Sequence, residues 1–116
     1  MAESSLSLRI DLPSGARIGP GKVRLLELVA ETGSISAAGR QMGMSYRRAW
    51  MLVNSLSEGL GTAMVQTRKG GSAGGGARLT EAGRRVILAY RAMEDKAGSA
   101  VEGELSALER IARGGE

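Results

Sequence analysis

Leu6, Leu8, Ile10 and Leu12 alternate with Ser7, Arg9 and Asp11, the period of two that marks a half-buried strand. Pro13-Ser14-Gly15 is a turn signal, and Ala16-Arg17-Ile18 is long enough to return as a second short strand. Past Gly19-Pro20-Gly21 the period changes. Leu25, Leu26, Val29 and Ala30 fall at helical spacing, which predicts a helix over residues 20–32 ended by Gly33. Ser34 or Ser36 is placed to cap a short second helix with Ile35, Ala38 and Met42 on one face, stopping at Gly43. Ser45 is placed to cap a third, in which Tyr46, Ala49, Trp50, Val53, Leu56 and Leu60 form one apolar stripe.

Beyond Gly59 and Gly61, Met64 to Arg68 reads as a strand and Ala77-Arg78-Leu79 as its returning partner. Residues 69–76 between them hold five Gly and read as a flexible loop. Thr80, followed by Glu81, caps a fourth and longer helix. Its stripe of Ala82, Val86, Tyr90, Met93 and Ala97 continues through Val101, Leu105, Leu108 and Ile111. Steps of three and four are the seam of a helix that packs on another helix, with Gly98 and Gly103 as points where it kinks or divides. The predicted class is mainly α with small β-hairpins. A winged helix-turn-helix fills residues 1–80, with the helix-turn-helix at 34–60 and the wing at 64–79, and a long helix for dimerisation fills 81–116.

The segment Gly33 to Trp50, GSISAAGRQMGMSYRRAW, meets the steric demands of a helix-turn-helix. Two helices crossing in a tight turn need a small residue at the crossing, which Gly39 supplies beside Ala37 and Ala38. The turn four residues on needs positive φ, and Gly43 stands there. Met42, Met44, Ala49 and Leu52 occupy the surrounding positions that must be buried. In such a motif the second helix enters the major groove with its N-terminal residues leading. That exposes Ser45, Arg47, Arg48 and Met51, with Asn54 and Ser55 further along. Arginine pairs bidentately with the O6/N7 edge of guanine, so Arg47 and Arg48 are the base-reading candidates, and Ser45 suits a phosphate oxygen. Trp50 is expected in the core. Tyr46 is open between an inward-packed ring and a hydroxyl that reaches a phosphate.

Charge changes the picture by its distribution. Residues 40–91 hold nine Lys/Arg against Glu58 and Glu81, a balance of +7, whereas residues 92–116 hold three bases and six acids, a balance of −3. A basic middle matches a polyanion footprint, and Arg68, Lys69 and Arg78 flank a hairpin placed to track phosphates or the minor groove. The chain has no His and no Cys, which removes the commonest general base, the commonest metal ligand and every disulfide. The six Met show no ligand spacing and read as filler of core or interface. The glycine-rich tip lacks the Lys-Ser/Thr ending of a phosphate-binding nucleotide loop. No apolar run approaches a membrane span, and residues 1–8 are polar and carry Glu3, unlike a secretory signal. The expectation is a cytoplasmic chain with no enzymatic activity, no metal, no cofactor and no membrane partner.

GSISAAGRQMGMSYRRAW together with MVQTRKGGSAGGGARLTEAGRRVILAY (Met64 to Tyr90) resembles the N-terminal DNA-binding domain of ModE-type molybdenum-dependent regulators, itself similar to the winged helix-turn-helix of LysR-type regulators. The resemblance covers about residues 5–95. It implies a homodimer on a palindromic operator in double-stranded DNA. It assigns DNA contact to Ser45, Tyr46, Arg47 and the wing glycines Gly70, Gly71, Gly74 and Gly75. The dimer interface is expected on Val86, Tyr90, Met93, Ala97, Val101, Leu105 and Leu108, helped by the N-terminal hairpin. ModE-type regulators continue into molybdate-binding domains, and this sequence ends at Glu116, so no molybdate site is expected within it. The expected function is sequence-specific regulation of transcription, in molybdate-related gene control. The competing function is a protein-interaction module on the same scaffold, against which the local arginine excess argues.

Overall fold

The computed structural model describes residues 4–71 and 74–115, with side chains outside 69–75. A two-residue hairpin comes first: β1 (Ile10–Asp11) pairs antiparallel with β2 (Arg17–Ile18) in the register Ile10 to Ile18 and Asp11 to Arg17. Three helices follow, α1 (Pro20–Thr32), α2 (Ile35–Gln41) and α3 (Tyr46–Leu60). A second antiparallel hairpin, β3 (Val65–Gly71) and β4 (Gly74–Leu79), leads to α4 (Glu81–Ala100) and α5 (Glu102–Ala112). No described helix is long and apolar enough to cross a membrane.

The helix boundaries follow from their caps. Ser34, Ser45 and Thr80 each accept a bond from a backbone N–H three residues on, which satisfies one of the donors that a helix start leaves free. Val23, Leu25, Leu26, Leu28 and Val29 of α1 are buried at the centre of the molecule. Ile35 and Ala38 of α2, and Ala49, Val53 and Leu56 of α3, close over them. Met64, Leu79 and Tyr90 complete the core. Ala30, placed on the buried stripe by its spacing, is exposed, and Val23 and Leu28 take the inward positions.

Three features differ from the sequence reading. The strand expected over Leu6 to Leu12 shrinks to two residues, and the Leu8 carbonyl is instead taken by the Tyr90 hydroxyl at 2.8 Å. That bond draws Tyr90 into the core at 1% exposure, so its ring is not on the expected dimer face. The wing strands run further into the glycine-rich segment than predicted, with a register shift between Arg68 and Gly71. The C-terminal helix, by contrast, divides where its glycines led it to be expected: it is two helices, broken at Val101 (φ −107°, ψ 12°). The break lies between Gly98 and Gly103, residues that hold a helix weakly. Val86, Met93 and Ala97 therefore lie on α4, Leu105 and Leu108 on α5, and the seam is divided between them.

Candidate nucleic-acid interface

The α2–turn–α3 unit is built at two glycines. A Cβ on Gly39 would stand 3.0 Å from the Ala49 Cβ and 3.4 Å from Met44 Cγ, a tighter approach than side chains ordinarily make, so a small residue is what lets α2 cross α3 this closely. Gly43 has φ +71°, the left-handed conformation that turns the chain between the helices. The Met44 N–H donates back to the Gly39 carbonyl at 2.9 Å and closes the turn.

The geometry of α3 follows from its buried face. Ala49, Val53 and Leu56 point inward, which leaves Arg47, Met51 and Asn54, spaced four and three apart, as the outward ridge. Arg47 and Met51 are exposed, while Asn54 is half-buried and donates to Glu58 Oε1 at 3.1 Å. Ser45 is exposed, with its hydroxyl oxygen accepting the Arg48 N–H at 3.1 Å. Tyr46 and Arg48 are also exposed and stand about 200° apart around the helix, on opposite flanks of the ridge.

Trp50 is the clearest correction at this site. It lies one turn beyond Tyr46 and is 45% exposed, not buried in the core. The α3 face that packs inward, Ala49, Val53 and Leu56, is narrower than the apolar stripe, and Trp50 stands about 100° round the helix from Ala49. Tyr46, left open by the sequence, likewise faces outward.

The wing is fixed to this unit by backbone. The Ala77 N–H donates to the Gly33 carbonyl at 2.8 Å, tying β4 to the α1–α2 turn. As a result Tyr46, Ser34 and Ser36 share a groove with Thr67, Arg68, Gly76 and Ala77. The wing thus borders the Tyr46 flank of α3. Arg78 is placed elsewhere. It donates to Gln66 Oε1 at 3.2 and 3.3 Å and lines a different groove with Ala30, Thr80 and Arg84. The Lys69 side chain lies outside the described residues, and Gly70, Gly71, Gly74 and Gly75 are described as strand backbone alone.

The basic footprint is smaller than the residue count implies. Arg91 is held by Glu27 and Glu94, and Arg84 pairs with Glu81 at 3.3 Å. Ser34, Ser36 and Thr67 are groove residues that sequence reasoning missed as contacts. Ser34 and Ser36 were legible as caps, but nothing local to Thr67 shows that a strand will meet the start of α3.

A short turn between two crossing helices, an exposed ridge on the second and a hairpin beside it define a winged helix-turn-helix. Residues 21–84, more than half of the chain, match the model of the bacterial regulatory helix-turn-helix proteins of the lysR family, and the chain belongs to that family. Among curated relatives it is 48% identical over 81 residues to the molybdenum-pterin-binding protein MopB of Rhodobacter capsulatus, covering 70% of this chain and 30% of that one. It is 36% identical over 107 residues to MopA of the same organism, covering 90% and 40%. The DNA-binding transcriptional dual regulator ModE of Escherichia coli (strain K12) is 33% identical over 88 residues, covering 76% and 34%. The chain thus spans about a third of the length of these relatives, and the resemblance to ModE-type regulators holds. Among solved structures, the fold matches the DNA-binding domain of CbnR in complex with DNA, with a TM-score of 0.58 at 22% identity over 76% of this chain and 95% of that one. It also matches ArgP from Mycobacterium tuberculosis, with a TM-score of 0.52 at 21% identity over 73% and 30%.

Proposed function

We propose that this chain binds double-stranded DNA in a sequence-specific manner, as a homodimer, and regulates transcription in molybdate-related gene control. The observation that carries the reading is the capped start of α3. Arg47 and Met51 stand on its exposed ridge, with a wing locked against the Tyr46 flank. A helix so presented fits a major groove about 12 Å wide, with Arg47 within reach of base edges. Arg68 and the exposed Tyr46 then approach the phosphates that border one side of the groove.

The dimer rests on apolar side chains that the protomer leaves uncovered. Met93 of α4 is 44% exposed and Leu108 of α5 is 61% exposed, and Ile111 of α5 is likewise exposed. A second copy is the occupant that suits a family of regulators reading two-fold symmetric sites, with half-sites about 34 Å apart or a multiple of that. The assignment carries no catalytic step, no metal and no molybdate site within these residues, and it places the chain in the cytoplasm.

Selection of bound duplexes from a random pool tests the reading. The expected result is enrichment of one palindromic sequence. Recovery of unenriched DNA, with a stable protein partner in pull-downs, would instead favour an interaction module.

A further inference from the structure

The flank of α3 opposite the wing is not bare. Arg48, Leu52 and Ser55 lie along it at steps of four and three, and the β1–β2 hairpin packs beside them. The approach is close: a Cβ on Gly59 would fall 2.6 Å from the Ala16 Cα, so glycine is what lets the hairpin backbone reach α3. Lys22, in the first turn of α1, lies in the join. Its ammonium donates to the Arg17 carbonyl at 3.0 Å and lies 3.5 Å from the Ser55 hydroxyl.

The groove so formed is lined by four bases, Arg9, Arg17, Lys22 and Arg48, and by no acid. Arg9 is partly neutralised, because its guanidinium holds Asp11 at 3.0 Å. Asp11 stands across the hairpin from Arg17, yet that bond commits its carboxylate to Arg9. Among the described residues no salt bridge includes Arg17, Lys22 or Arg48. The first turn of α1 holds no acidic residue either. Burial and the neighbouring Arg17 charge both lower the Lys22 ammonium from its ordinary value, as expected where cations gather without a counter-ion.

We infer that Arg17, Lys22 and Arg48 form a second phosphate-binding surface, by which the β1–β2 hairpin grips the DNA strand bordering the major groove on the side away from the wing. The inference rests on the reading of this chain as a DNA-binding protein. A helix lying in a major groove has a phosphate backbone along each flank. The wing groove with Tyr46 and Arg68 faces one, and the Arg17–Lys22–Arg48 groove faces the other. Arg17 precedes residues 21–84, the part that matches the family model, whereas Lys22 and Arg48 lie within it, so the grip joins the hairpin to the segment the family shares.

Binding is measured by fluorescence polarisation against salt, on a duplex selected from a random pool and on an unselected duplex. Arg17→Gln, an exposed change, and Arg17→Gln/Lys22→Gln are each expected to weaken both duplexes alike. The loss is about fivefold per charge removed at 0.15 M salt, and the salt slope falls by about 0.9 per charge. The ratio between the two duplexes stays as in the wild type, and Arg17→Lys restores binding. Phosphate ethylation interference is expected on both sides of the contacted groove for the wild type, and on the side away from the wing it weakens for Arg17→Gln and weakens further for Arg17→Gln/Lys22→Gln. Suppose both glutamine variants keep the wild-type circular dichroism, affinity and salt slope while Arg47→Ala loses discrimination. The second grip is then wrong and the DNA-binding reading stands. If the wild type enriches no duplex at all, the DNA-binding reading fails and this inference fails with it.

Discussion

The Arg91 guanidinium grips the Glu27 carboxylate through two bonds, Nη2 to Oε1 at 2.8 Å and Nε to Oε2 at 3.1 Å, and so fastens α4 to α1. Its third arm holds Glu94 at 2.6 Å. The hydrogen bond from Arg91 holds the Glu27 carboxyl below its ordinary value of 4.5, against the opposing effect of burial. A carboxyl lowered in the folded state adds stability above its unfolded value and loses it as the pH falls through the folded one. Glu27→Gln is therefore expected to cost about 1 kcal/mol at pH 7, a size limited by the exposure of the guanidinium. Urea unfolding of variant and wild type checks this, and the gap must narrow below pH 4.5. A gap of constant size at pH 7 and pH 3 would sink the assignment.

At the helix crossing, Gly39→Val places a branched side chain where even a Cβ stands 3.0 Å from Ala49. Overpacking there is expected to cost about 2–3 kcal/mol in urea unfolding. Gly43→Ala meets no neighbour within 4 Å and suffers only from its φ of +71°, so about 1 kcal/mol is expected. Equal costs at the two positions would mean that the crossing is looser than its geometry indicates.

The same two glycines show why so much of the reading head was legible in sequence. A tight crossing demands a small residue and a left-handed turn favours glycine, and the demands fall at fixed offsets within one short segment. Caps at Ser34, Ser45 and Thr80 are likewise local chemistry, and they fixed where the helices start. Trp50 and Tyr90 were misjudged, and Arg91 was counted into the basic middle, for the opposite reason. The surroundings of two are set by residues far along the chain, Tyr90 by the Leu8 carbonyl and Arg91 by Glu27, and Trp50 is left exposed at the edge of the narrow buried face of α3. The grip of Arg17 and Lys22 was invisible for that reason too, since neither residue is near α3 in sequence.

Trp50 supplies an internal probe, because it is the only tryptophan and stands 45% exposed on α3. The free protein is expected to show red-shifted emission that acrylamide quenches readily. A selected duplex should shield the ring and lower the quenching constant, with no such change on adding an equal concentration of unselected duplex below its affinity. Unchanged quenching on a saturated selected duplex would put this flank of α3 outside the interface.

Base reading and phosphate holding separate by residue. Arg47→Ala is expected to lose about 1–3 kcal/mol of discrimination between the selected duplex and one changed at the contacted base. Arg68→Ala should weaken both duplexes equally and lower the salt slope by about 0.9. Competition binding at two salt concentrations distinguishes them. If Arg47→Ala retained full discrimination, the ridge of α3 would not be the reading edge.

The dimer face is tested by pairing a face residue with a core residue of the same arm. In a two-fold interface each side chain acts twice, so Leu108→Asp removes two apolar contacts and buries two charges. Loss of about 1.5–3 kcal/mol per buried leucine side chain weakens a dimer by about two to four orders of magnitude. Sedimentation is expected to show a monomer for Leu108→Asp and for Met93→Asp, with urea stability of the monomeric head preserved. Tyr90→Phe should behave in the opposite way. It deletes the bond to the Leu8 carbonyl, costs about 1 kcal/mol of stability and leaves the dimer intact. A dimer that survives both aspartate variants would move the interface off the α4–α5 arm, and the N-terminal segment would then be the next surface to probe.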